Sequence, residues 1–366
     1  MINTKRRNTL QSAEITGTSV PPASFRIMLS ALIIIVAITI LSSFTSMPHG
    51  RYVSEKEDSV APGRDSVLYV VAFFNKNDTM IYWINESQWD VKNGDTIKTM
   101  GINTKVMVNV TDSTKKGYKM EYTFLEFVSD SVKDSWKQKL LTEKFDTLKK
   151  VLKGTTIKFT TDEYGKIVKY DNLDKIAKQA KQLFMSVIKD MPIIDSLDAM
   201  GADTKKLLKD VDYDNIVKGY TEELELMFRQ HGEAYNIGTV TGHTDATEDE
   251  FESDSYVEVS EDPETYDYKI EADTYNYIPK DDVRAILKGL VEGILKGDEL
   301  SDVKNDIGDN LDKQVNGRML YNDYLLIEYY SDGWPKKIVK QEKNMIGNNG
   351  KLSQKYIIPC YRSVQH

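Results

Sequence analysis

Cysteine is almost missing from this chain: Cys360 stands alone among 366 residues. A lone thiol excludes an internal disulfide framework and a cysteine-based zinc site. Histidine is nearly as scarce, with only His49, His231, His243 and His366, and no catalytic motif surrounds any of them. Cys360 therefore reads as a structural or incidental thiol, since a nucleophile needs an activating environment. Excess positive charge is lacking too: 48 Lys and Arg stand against 57 Asp and Glu, a net charge of -9. That balance argues against nucleic acid as a partner, because phosphate binding needs a clustered cationic surface. The chain also lacks G-x-G-x-x-G, a Walker-type phosphate loop, H-E-x-x-H and G-x-S-x-G. No catalytic residue, metal ligand or cofactor is expected from motifs.

What the chain has is a long apolar run. Ile27 to Phe44 contains no charged residue, and at about 1.5 Å per residue it can cross most of a hydrocarbon core of about 30 Å. Lys5, Arg6, Arg7 and Arg26 precede it, whereas Arg51 and Lys56 beyond it are mixed with Glu55, Glu57 and Asp58. The positive-inside bias puts residues 1–26 in the cytoplasm, 27–44 in the membrane and the rest outside it. A cleaved signal peptide would share that orientation. The long polar leader, the long apolar run and poor cleavage sites favour a retained single-pass anchor, and the lack of a following cysteine excludes a lipoprotein junction. The expected partner on this side is the membrane itself, through the N-terminal helix; if the segment is cleaved, the product is periplasmic or secreted.

Residues 45–66 are charged, contain Gly and Pro, and read as a linker. The exported domain spans 67–366. Val67–Phe74, Thr79–Ile84 and Tyr118–Phe127 are rich in β-branched and aromatic residues and predict strands, with Asn75–Asp78 as a turn. Four stripes of 3.6-residue period predict amphipathic helices, running through Trp136–Val151, Leu173–Val187, Ile216–Phe228 and Val283–Ile294. Strand character returns in Arg318–Tyr330, Lys336–Lys343 and Lys351–Val364, separated by "SDGWP" and "IGNNG" turns. The expected class is α+β: an antiparallel sheet, flat or curved, packed with amphipathic helices, behind one transmembrane helix.

"TIKFTTDEYGKIVKY" (Thr156–Tyr170) and "LIEYYSDGWPKKIVKQ" (Leu326–Gln341) share one plan, a strand, an acidic turn with Gly and then "KIVK". Two degenerate copies, 67–231 and 234–364, are one reading; an ordinary hairpin plan met twice is the other.

Two acidic stretches are weighed for metal. Asp210, Asp212 and Asp214 match positions 1, 3 and 5 of a calcium loop, but Asn215 and Thr221 stand where Gly and Glu are needed. Asp212 or Asp214 capping a helix that begins near Ile216 explains the same residues. The acid-dense segment Thr244–Tyr268 reads as a solvated loop or edge rather than a cation site. Paired carboxylates for glycoside hydrolysis need meet only in space, so sequence names none.

Asp followed by Ser or Thr and then an aliphatic, Met or Thr residue recurs, placing Ser59, Ser66, Thr79, Thr96, Ser113, Ser131, Thr147 and Ser196 at its centre. The pattern resembles the O-glycosylation acceptor of exported proteins in the Bacteroidota; turns leading into strands or helices are the alternative. The aromatic-rich strands and the F-x-x-D-x-x-G-x-I hairpin of Phe159, Asp162, Gly165 and Ile167 resemble exported proteins of unknown function from that phylum. The resemblance implies an envelope location and a non-catalytic β-rich module, with no active-site residues. The functional expectation is a membrane-tethered envelope protein with a non-enzymatic binding or structural role, its envelope protein or small-molecule partner unnamed. The alternatives are an envelope glycan or protein hydrolase using paired carboxylates, and a carrier of an apolar ligand.

Overall fold

In the computed structural model the residues described are 67–129, 153–188, 213–247, 250–294, isolated positions between 301 and 312, and 318–365. The expected membrane segment, the linker and the Trp136–Val151 stripe lie outside them. Among the described residues, no helix is long and apolar enough to cross a membrane.

Among the described residues antiparallel sheet dominates, so this part of the molecule is largely β with few helices. The strands are β1 (Val67–Tyr69), β2 (Thr79–Lys92), β3 (Asp95–Thr114), β4 (Gly117–Ser129), β5 (Thr156–Thr161), β6 (Ile167–Tyr170), β7 (Ala234–Asn236), β8 (Gly238–Thr244), β9 (Glu252–Glu261), β10 (Tyr268–Pro279), β11 (Arg318–Tyr329), β12 (Pro335–Ile346) and β13 (Asn349–Ser363). The helices are α1 (Leu173–Ile188), α2 (Tyr213–Phe228) and α3 (Lys280–Ile294). β1 and β7 pair with each other; the other strands form one sheet of eleven, ordered β6-β5-β4-β3-β2-β13-β12-β11-β10-β9-β8. Five adjacent strands of each half run in the same order, β2 to β6 and β8 to β12, and β13 joins the two runs.

Period-2 patterning explains one face of this sheet. Cross-strand partners Val259, Ile270, Ile327, Ile338, Ile357 and Ile84 form an unbroken aliphatic row across six strands, and all six are buried. Burial of side chains of this size stabilises by about 1.5–3 kcal/mol each. On the first run the row gives way to Val106, Val108, Met120, Tyr122, Ile157 and Phe159, also buried. α2 contributes Leu224, Met227 and Phe228 to the same core, α1 contributes Ile176, and Val283 and Leu287 of α3 are buried too.

The sheet is strongly curved around this core. The β5–β6 and β11–β12 turns belong to strands five steps apart in the sheet, about 24 Å if it were flat. Yet the Ala72 N–H donates to the Tyr164 carbonyl at 2.9 Å and the neighbouring Phe73 N–H to the Asp332 carbonyl at 3.0 Å. Both turns thus close on one extended strap, Val70–Phe74, which makes the core-bearing face concave. The strap explains a departure from expectation: the strand over Val67–Phe74 ends at Tyr69, because the next residues bond to turns rather than to a parallel or antiparallel neighbour.

The F-x-x-D-x-x-G-x-I motif acquires a physical reading here. Phe159 is fully buried, and Asp162 Oδ1 accepts the N–H groups of Tyr164 (3.0 Å) and Lys166 (2.9 Å), folding the turn. Gly165 has φ +96°, and a Cβ there would lie 2.6 Å from Ala72 Cβ and 2.7 Å from His231 Cδ2. Its counterpart Gly333 has φ +86° and would place a Cβ 2.4 Å from the Val71 carbonyl oxygen. Only glycine admits both the backbone angle and the approach.

Candidate functional site

Each strand of the concave face changes character along its length. On β12 the inward positions read Ile338, Lys340, Glu342, Asn344; on β13 they read Ile357, Lys355, Ser353, Lys351; on β2, Ile84, Glu86, Gln88. The aliphatic row is therefore followed, one pleat on, by a charged row in which Lys340 pairs across to Lys355 and Lys355 to Glu86. Two like-charged lysines side by side need a counter-charge. α2 supplies it with Glu222 and Glu223.

Lys355 lies 2.6 Å from Glu223, 3.1 Å from Glu86 and 3.5 Å from Glu222, its side chain only 12% exposed. Lys340 lies 2.8 Å from Glu342 and 3.6 Å from Glu222. Burial lowers the lysine ammonium's affinity for its proton, but the surrounding carboxylates outweigh it and hold Lys355 above the ordinary lysine range. Burial also pushes Glu222 up, yet Lys355 and Lys340 together bring it below the usual carboxylate range. Glu223 is the exception: desolvation, with Glu86 and Glu222 close by, carries it up to about 7 against the pull of Lys355. Three carboxylates sharing one ammonium explain why one of them keeps a proton near neutrality.

Two further groups face this cluster. The Tyr122 hydroxyl is buried, has no hydrogen-bond partner, and is raised far above its ordinary range by burial, then by Glu223 and Glu86. Asp323 Oδ1 on β11 is buried without a partner, and its carboxyl is raised by burial with Lys340 opposing.

A second polar centre sits in the aromatic core. His231 is fully buried, with Nδ1 3.2 Å from the Phe228 carbonyl and Nε2 3.0 Å from the Gly333 carbonyl. Burial pushes its pKa down to about 4, against those two hydrogen bonds. The neutral ring has a single N–H, so one carbonyl is bonded and the other merely faced. Phe74, Phe228 and Tyr329 surround the imidazole at centroid distances of 5.4–6.0 Å. This is a structural histidine: it ties α2 to the β11–β12 turn.

The residues singled out in the sequence are scattered rather than gathered. Thr79 Oγ1 bonds the Asn77 carbonyl at 3.2 Å and Asn109 Oδ1 at 3.0 Å, Ser113 Oγ donates to the Phe74 carbonyl at 3.0 Å, and Thr96 is exposed. Ser59, Ser66, Ser131, Thr147 and Ser196 lie outside the described residues, as do Asp210 and Asp212. α2 begins at Tyr213, three residues before Ile216. In the acid-dense segment, Asp254 bonds His243 at 2.7 Å and Tyr277 at 2.9 Å, Glu258 bonds Lys269, and Asp262 Oδ1 accepts the N–H groups of Glu264 and Thr265. Cys360 is exposed on β13. The charged row was missed because its members come from four separate elements. The available signal was a lysine at an inward position of an alternating strand, at both Lys340 and Lys355.

No protein-family model matches the chain, and no curated protein matches it. Among solved structures it is similar to one titled "Lipid-protein interactions in lipovitellin", at 9% identity and a TM-score of 0.37, over 80% of this chain and 26% of that one. A likeness at that level carries no functional argument, so function rests on the geometry above.

Proposed function

We propose that the chain is a non-enzymatic binding module of the cell envelope, tethered by its N-terminal apolar run. The supporting observation is how the concave-face charges are used. Lys355 and Lys340 are committed to Glu86, Glu222, Glu223 and Glu342, which clamps α2 onto the sheet. A hydrolase of the paired-carboxylate type needs two acids facing a substrate; the acids brought together here share an ammonium under a helix.

A second reading, an apolar-ligand carrier, is favoured by the aliphatic row that runs without interruption along the concave face from β9 to β2. Both readings are tested by native mass spectrometry of the full chain released from its own membranes in mild detergent. A non-covalent mass increment supports binding, and an increment of lipid mass selects the carrier. A bare chain combined with turnover of envelope glycan or protein that is lost in Glu223→Gln would favour the hydrolase.

A further inference from the structure

The two edges of the open sheet are built differently. β6 is four residues long, its pairing with β5 shifts register at Thr160/Thr161, and it carries Lys169, which is ion-paired to Asp171. Shortness, irregularity and charge discourage the addition of another strand. β8 has none of these. Its seven residues, GTVTGHT, are all exposed, pair with β9 in unbroken register, and include no Lys, Arg, Asp, Glu or Pro. Among the described residues no strand lies on its outer side. In an antiparallel ladder, about half the residues of an edge strand direct both N–H and C=O away from their neighbour. Among the described residues, no strand or backbone hydrogen bond uses the outward donors and acceptors of β8.

The surroundings say what would pair there. From Gln230 to Tyr268 the sequence contains twelve Asp and Glu and no Lys or Arg; Glu233, Glu252, Asp254 and Glu258 are paired with Lys166, Arg318, His243 and Lys269, and the remaining acids supply the excess negative charge. Asp245 beside the strand is 96% exposed. On the convex face Thr239, Thr241 and His243 stand next to Glu258, Tyr256 and Asp254 of β9; on the other face Val240 and Gly242 stand next to Val257 and Ser255. We propose that β8 is a docking edge that takes an extended, basic segment of a partner protein by strand addition. Alternate Lys or Arg side chains of that segment lie on the convex face among the acids, with small or apolar residues between them on the concave face. Main-chain hydrogen bonds hold the segment, and charge selects it. A second copy of this chain is the poorer occupant, because it would set one acidic edge against another at a net charge of -9 each. The edge stands independently of whatever the concave face binds.

The test uses the full chain in detergent micelles and a fluorescent ten-residue peptide alternating Lys and Val. The expected result is saturable binding, at least about tenfold tighter than that of a control peptide alternating Glu and Val, and weakened by salt, with slowed amide exchange confined to 238–244 and its β9 partners. The Lys/Val peptide with methylated backbone nitrogens should not bind. Thr241→Pro should abolish binding while Val168→Pro, on the guarded edge, leaves it intact; should Thr241→Pro fail to fold, the methylated peptide on the unaltered protein decides. Equal binding of the methylated peptide, no preference over Glu/Val, no protection of β8, or no binding would each overturn the proposal. So would a dimer whose β8 amides are already protected without peptide.

Discussion

Gly165→Ala tests the closure of the sheet most sharply. Gly165 has φ +96°, and Gly94 in the β2–β3 turn has φ +90°, so alanine meets nearly the same backbone penalty at both, about 1–2 kcal/mol. The sites differ in space. A Cβ at Gly94 meets nothing within 4 Å, whereas one at Gly165 falls 2.6 Å from Ala72 and 2.7 Å from His231. Both obstacles are fixed: Ala72 belongs to the strap, and the His231 ring is held between two carbonyls and three aromatic rings. Overpacking of a confined site adds about 1–3 kcal/mol. Gly165→Ala should therefore cost about 2–5 kcal/mol and Gly94→Ala about 1–2. Urea unfolding followed by tryptophan fluorescence is the assay, since Trp334 is buried in the same core, 4.2 Å from Phe74 between ring centroids. The midpoint should fall further for Gly165→Ala, with the slope unchanged. Equal losses at the two glycines would refute the wedging of the strap between the turns.

Other perturbations read out the polar groups. His231, with a folded pKa of about 4 against about 6.5 unfolded, binds fewer protons folded than unfolded across that window. Its contribution is complete above pH 6.5 and is lost as pH falls toward 4, on the order of 3 kcal/mol; His231→Phe should flatten that slope in urea midpoints taken between pH 4 and 7. Glu223 has the opposite sign. Its carboxyl, raised from 4.5 to about 7, stabilises most at low pH and loses that stabilisation as pH rises through 4.5–7, so Glu223→Gln should gain on the native protein over that range. Lys355→Ala leaves Glu86, Glu222 and Glu223 without their shared ammonium and should cost about 3–5 kcal/mol at pH 7.5, measured by the same unfolding curves. Asp78, buried, accepts the Asn75 N–H at 2.7 Å and the Gln365 N–H at 2.8 Å. Asp78→Ala should cost about 2–3 kcal/mol of stability, lowering the urea midpoint, and speed amide exchange at Gln365.

How much of this was legible in the sequence depends on the range of the interaction. Tyr118–Phe127, Arg318–Tyr330, Lys336–Lys343 and Lys351–Val364 read as strands from local alternation, and the 3.6-residue stripes at Leu173, Ile216 and Val283 became α1, α2 and α3. β3, β8, β9 and β10 were not read as strands, and the segment that holds β9 was read as a solvated loop or edge. β3 opens with exposed polar residues and Gly101 before its buried alternation of Val106, Val108 and Val110 begins, and β10 sets the polar Thr274 and Asn276 at buried positions between Ile270 and Ile278. Closure of the sheet was out of reach for another reason. Ala72 and Phe73 are adjacent, but their partners Tyr164 and Asp332 are set by how the whole sheet curls. The same holds for the charged row: Glu86, Lys340 and Lys355 are ordinary surface residues until registers place them in one layer, where Glu223 of α2 meets them. His231 gave no motif because its role is to fill a hydrogen-bonded gap in an aromatic core, which leaves no spacing in the chain.

The most direct measurement for a tethered envelope module is fractionation of the native protein with N-terminal sequencing and protease accessibility from each side. Tethering predicts a membrane-bound chain that keeps residues 1–26, with the region after residue 45 reached by protease only from the extracytoplasmic side. Recovery of the chain in the cytoplasmic soluble fraction, or cleavage of 67–366 only from the cytoplasmic side, would contradict it.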